Sequence, residues 1–76
     1  MRELIEFLAR SLVDNPDDVQ VEEEDDGDRI VYHLYVADDD MGKVIGKQGR
    51  IANAMRDLLK VAAARNDARA SLEIGH

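Results

Sequence analysis

The chain has 76 residues, of which 45% are hydrophobic and 36% charged, with a formal net charge of −7. This is room for one small domain over residues 1–76, and its core must be efficient, because so short a chain buries only about 60–65% of its unfolded surface. Without cysteine there are no disulfides, thiolate metal sites or cysteine nucleophiles, and two histidines, His33 and His76, are too few for an ordinary zinc site. No apolar run approaches the roughly 18 residues of a membrane span, and acids sit among the first apolar residues, where a secretory signal has none. The expectation is a soluble, cytoplasmic domain with no membrane association and no cofactor.

In chain order, Leu4, Ile5, Leu8 and Leu12 form one stripe of an amphipathic helix, with Phe7 at its edge. Asn15-Pro16 ends that helix, because the residue before proline avoids the helical region. Val19 and Val21 alternate with polar residues in a short strand running into Glu22-Glu23-Glu24. Asp25-Asp26-Gly27-Asp28 is a turn, with Asp26-Gly27 as its two-residue hairpin signal. A calcium loop aligned on Gly27 would put His33 where a bidentate glutamate belongs, so the acid run reads as a solvated strand end and turn.

Residues 29–37 are rich in β-branched and aromatic side chains and predict the strongest strand. Ile30, Tyr32, Leu34 and Val36 share one face; Val31, His33, Tyr35 and Ala37 share the other, and either face is apolar enough to meet the helices. His33 reads as a sheet-face residue rather than a base. Asp39 or Asp40 is placed to N-cap a short helix. A long helix follows over about 50–65, with Ile51, Met55, Leu58, Leu59 and Ala62 as its apolar positions, and Asn66-Asp67 ends it. Ala70, Leu72 and Ile74 alternate in a last strand. The order is α-β-β-α-α-β, an α+β domain.

The stretch that carries chemistry is Gly42-Lys43-Val44-Ile45-Gly46-Lys47-Gln48-Gly49-Arg50-Ile51. A Walker loop requires glycine where Met41 stands and Ser or Thr where Gln48 stands. The dinucleotide fingerprint requires glycine at Val44. A Gly-x-x-Gly loop between two helices fits, a form that clamps the backbone of about four single-stranded nucleotides. Glycines let a sugar-phosphate backbone approach without Cβ interference, and the following helix turns its positive end toward the phosphates. Lys43, Lys47 and Arg50 add charge, while Val44, Ile45 and Ile51 offer an apolar wall for bases. A plain helix–turn–helix would use the same glycines for tightness and the same lysines for solubility, but the whole string is more specific than a bare Gly-x-x-Gly.

This string resembles the Ile-Gly-x-x-Gly-x-x-Ile core of the KH family, with the last isoleucine one residue early. The order of elements is similar to the bacterial type of KH domain (type II-like), and the length to its small stand-alone members. The resemblance implies a three-stranded sheet backed by three helices, with the first two strands antiparallel and the motif's two strands parallel. It implies single-stranded RNA binding without catalysis at residues 43–51. It also implies a larger KH-containing partner protein or a homodimer, and a role as RNA chaperone or post-transcriptional regulator linked to cell shape and cell wall biogenesis.

Charge is polarised along the chain: nine acids and no base lie between Asp14 and Asp28, whereas residues 43–76 hold seven bases against three acids. Local potential at a site matters more than total charge. The acids from Asp14 to Asp28 are therefore expected away from the glycine loop, at the far end or edge of the sheet. From another class, a protein-interaction module would use the same loop and groove as a dimer contact. No nucleophile–base grouping points to an enzyme.

Overall fold

A computed structural model describes residues 1–75; His76 lies outside the described residues. Helix α1 spans Arg2–Leu12. Its buried line is Ile5, Ala9 and, just past the helix, Val13, whereas Leu12 is half-exposed and Phe7 is 68% exposed. Arg2 and Arg10 both reach Glu6 across single turns at 3.4 Å. The helix stops before Asn15-Pro16, because Val13 is already extended (φ −105°, ψ 162°), and Pro16–Asp18 forms a short 3-10 turn.

Strands β1 (Gln20–Asp25), β2 (Ile30–Tyr35) and β3 (Ala70–Gly75) make one sheet in the order β1-β2-β3. The β1/β2 pair is antiparallel and the β2/β3 pair parallel, as the resemblance implied. The hairpin tip is Gly27-Asp28 rather than Asp26-Gly27. The Asp26 N–H donates to the Arg29 carbonyl at 3.1 Å, and only Gly27 of the turn has positive φ (+95°). The Asp25 and Asp26 carboxylates decide this offset: Asp25 accepts from Gly27 N–H, and Asp26 accepts from the N–H groups of Asp28 and Arg29.

The face left open by the sequence is now assigned. Tyr32 and Leu34 point into the core, joined by Ile5, Ala9, Val36, Val44, Met55, Leu59 and Leu72. The other face is uncovered by helices and acidic: His33 lies opposite Glu22 on β1 and Glu73 on β3. Its Nε2 is 3.1 Å from Glu24 and its Nδ1 3.5 Å from Glu73, a sheet-face residue as expected.

Helix α2 runs from Asp38 to Arg65 but is broken by non-helical backbone at Gly46–Gly49, giving two arms. With α1, these arms make the three helices that the sequence predicts. Along the second arm the buried positions are Ala52, Met55, Leu59 and Ala63. Leu58, expected inward, is 47% exposed, because the buried line through Ala52, Met55, Leu59 and Ala63 leaves it about 100° around the helix. The N-cap of α2 is Ala37, with no side-chain cap. Asp40 does not cap this helix; it is fully buried in the first turn and serves another segment.

Candidate nucleic-acid interface

Three consecutive residues of the break adopt left-handed backbone: Lys47 (φ 53°), Gln48 (φ 63°) and Gly49 (φ 70°). For lysine and glutamine this conformation costs about 1–2 kcal/mol each, and such strain collects at functional sites. Gly49 is glycine for its own backbone. Gly46 is different: its φ is −72°, which any residue accepts, and a Cβ built there meets no atom within 4 Å. Nothing in the fold requires glycine at 46, and the space above it is open, as it is at Gly42.

The loop's cations differ in availability. Lys47 and Arg50 are exposed and form no ion pair among the described residues. Lys43 is held by Asp14, Nζ to Oδ1, at 3.0 Å. The expectation that every acid from Asp14 to Asp28 lies away from the site is thereby corrected at Asp14. The reason is tertiary: Asp40 accepts the N–H of Asp14 at 3.0 Å, the N–H of Asn15 at 3.1 Å and the side-chain amide of Asn15 at 3.0 Å. This anchor fixes the chain after α1 against the first arm, within reach of Lys43. Burial raises the Asp40 pKa, but those three hydrogen bonds and the Lys43 charge outweigh it and hold the carboxyl below its ordinary value.

Of the apolar wall, Ile45 is 49% exposed beside the loop and Ile51 is half-buried against the core. Val44 is turned fully inward, so its part is to hold the first arm onto the sheet rather than to meet bases. Gln48, Lys47 and Arg50 line a shallow depression completed by Asn53, Ala54 and Asp57, three residues that the motif alone did not single out. They follow from helical spacing, as the first outward turns of the second arm.

The acidic turn itself is remote from this loop. Asp26 and Asp28 face Lys60 and Ala63 on the second arm. Lys60 is eleven residues past Gly49, or about 16 Å along a helix rising 1.5 Å per residue. Among the described residues no group of three metal-ligating side chains converges, and no helix is long and apolar enough to cross a membrane.

The comparisons with known proteins agree with this architecture. The KH domain of KhpA/KhpB matches over residues 2–74. The RNA-binding protein KhpA of Clostridium acetobutylicum is 53% identical over 74 residues, covering 97% of this chain and 99% of the relative. That of Halalkalibacterium halodurans is 51% identical, covering 97% of each chain, and that of Chlamydia pneumoniae 45% identical, covering 97% of this chain and 95% of the relative. No solved structure matches the chain. Matched along almost its whole length, the chain belongs to the KhpA/KhpB family of KH domains.

Proposed function

We propose that this chain binds single-stranded RNA with little sequence preference, clamping the backbone at Gly46-Lys47-Gln48-Gly49. The observation that carries the reading is Gly46, a glycine that neither its own φ nor its neighbours require, beside a strained left-handed turn. A methyl group there would stand in the path of a closely approaching phosphodiester. Lys47 and Arg50 neutralise phosphates, Lys43 joins them once released from Asp14, and Ile45 and Ile51 support a base. The relatives named RNA-binding protein KhpA support the same reading. Shape and backbone recognition suit a cytoplasmic RNA chaperone or post-transcriptional regulator, and the role has no catalytic step. Replacing Lys47→Asp with Gln48→Asp puts two carboxylates where phosphates sit, on an exposed loop. RNA affinity should fall at least about tenfold with the fold intact; unchanged affinity in the folded variant rejects the loop as the RNA site.

A specific observation favours a protein partner as well, on a face other than the loop. Leu58 and Val61, one turn apart on the outward side of the second arm, are 47% and 54% exposed. A second copy, or a larger KhpB-like protein, would cover them and add RNA affinity through avidity. Leu58→Asp with Val61→Asp should then reduce the mass seen by sedimentation, whether of the chain alone or mixed with such a partner, and leave the core untouched.

A further inference from the structure

At the end of the molecule opposite the glycine loop, the hairpin tip, the second arm and the start of β3 enclose a depression of about 520 Å³. Arg29, Lys60 and Arg69 line it together with Ala63, Ala68 and Ala70. With alanine at the other three positions, the groups that project are charged: these three cations, with Asp26 and Asp28 beside them. Lys60 and Arg69 are exposed and form no ion pair among the described residues. Arg29 is oriented by Asp26 at 3.6 Å. A narrower groove between the second arm and β3, lined by Arg56, Leu59 and Leu72, shares Lys60 and Ala70 with the depression and reaches one turn back along the arm, to Arg56.

We infer that Arg29, Lys60 and Arg69 form a second phosphate-binding site, which holds the RNA backbone beyond the nucleotides clamped at Gly46–Gly49. The inference rests on the RNA-binding reading above and extends it from one end of the second arm to the other. About four nucleotides fill a Gly-x-x-Gly loop and its groove. The next phosphates of a longer strand continue along the arm and meet Lys60 and Arg69. Asp26 and Asp28 border the same depression and offset two of its three charges. Affinity for a free anion is therefore low, and the site acts on a strand already tethered at the loop, where effective concentration makes a weak contact count. The acidic hairpin tip becomes a length filter: short fragments gain nothing from the second site, and longer strands do.

The experiment compares tetrauridylate with octauridylate on the intact chain, read by NMR shift titration so that weak binding is measured. Lys60→Glu with Arg69→Glu should weaken octauridylate about tenfold, at up to about fivefold per exposed charge contact. Tetrauridylate should change by less than about twofold, because the site lies about 16 Å from the loop, beyond the Debye length of about 8 Å. The log–log salt slope for octauridylate should become shallower by about 1.4, at 0.7 per phosphate contact on a single strand. Asp28→Asn should strengthen octauridylate alone. Both substituted positions are exposed, and a thermal melt confirms the fold. An equal loss for both lengths, or no loss for either, overturns the second site. Lys47→Asp with Gln48→Asp tests the loop separately: if tetrauridylate ignores it, the loop reading fails, while the length-dependent loss still reports on Lys60 and Arg69.

Discussion

Lys43 and Asp14 form a 3.0 Å ion pair that takes one of the loop's three neighbouring cations away from an incoming phosphate. The pair is exposed, and such pairs contribute about 0.2–1 kcal/mol. Asp14→Asn leaves the backbone N–H of residue 14 on Asp40 and removes only the competing charge. RNA affinity should rise about two- to fivefold at physiological salt, measured by fluorescence anisotropy. With Lys47 and Arg50 alone the salt slope for a tetranucleotide is about −1.4, and it should steepen toward about −2 once Lys43 is free. An unchanged affinity and slope would mean that Lys43 meets no phosphate.

Gly46 and Gly49 separate ligand approach from backbone strain. Gly46→Ala meets no neighbour and no positive φ, so thermal stability should hold while RNA affinity drops at least about fivefold. Gly49→Ala puts a Cβ on a residue at φ 70°, and should lower stability by about 1 kcal/mol. Equal losses of stability in the two variants would show that Gly46 is there for the fold.

Asp40 couples the fold to acid. Its carboxyl lies below the ordinary value of 3.8 in the folded chain, so its stabilising contribution is complete above that value and is lost as pH falls through the lower, folded one. Urea melts between pH 5 and pH 2 should show stability declining chiefly below about pH 4, with that decline flattened in Asp40→Asn. Asp40→Ala strands three donors and should lower Tm by roughly 10 °C or more at neutral pH. It should also detach Asp14 from Lys43.

Much of the fold was legible because it rests on local signals. The alternation of Ile30, Tyr32 and Leu34, the proline at 16 and the glycines of the loop each act within a few residues of chain. What misled was also local. Leu58 belongs to the apolar pattern of its helix, yet the arm docks along Ala52, Met55, Leu59 and Ala63 and leaves Leu58 exposed. Asp40 has the position of a helix cap, but its oxygens serve donors 25 and 26 residues earlier.

The amino-acid order by itself determined the α-β-β-α-α-β succession, the two alternating side-chain sets of each strand but not which set of β2 turns inward, and a Gly-Lys-Gln-Gly turn flanked by bases. Those follow from periodicity and from backbone freedom, which need no distant partner. Only the tertiary structure decided which charges neutralise one another. Docking of the segment after α1 on Asp40 carried Asp14 to Lys43, and pairing of β3 beside β2 gathered Arg29, Lys60 and Arg69 around one depression. Coulombic neighbours are fixed by distance in space, and no spacing along the chain encodes the packing that sets it.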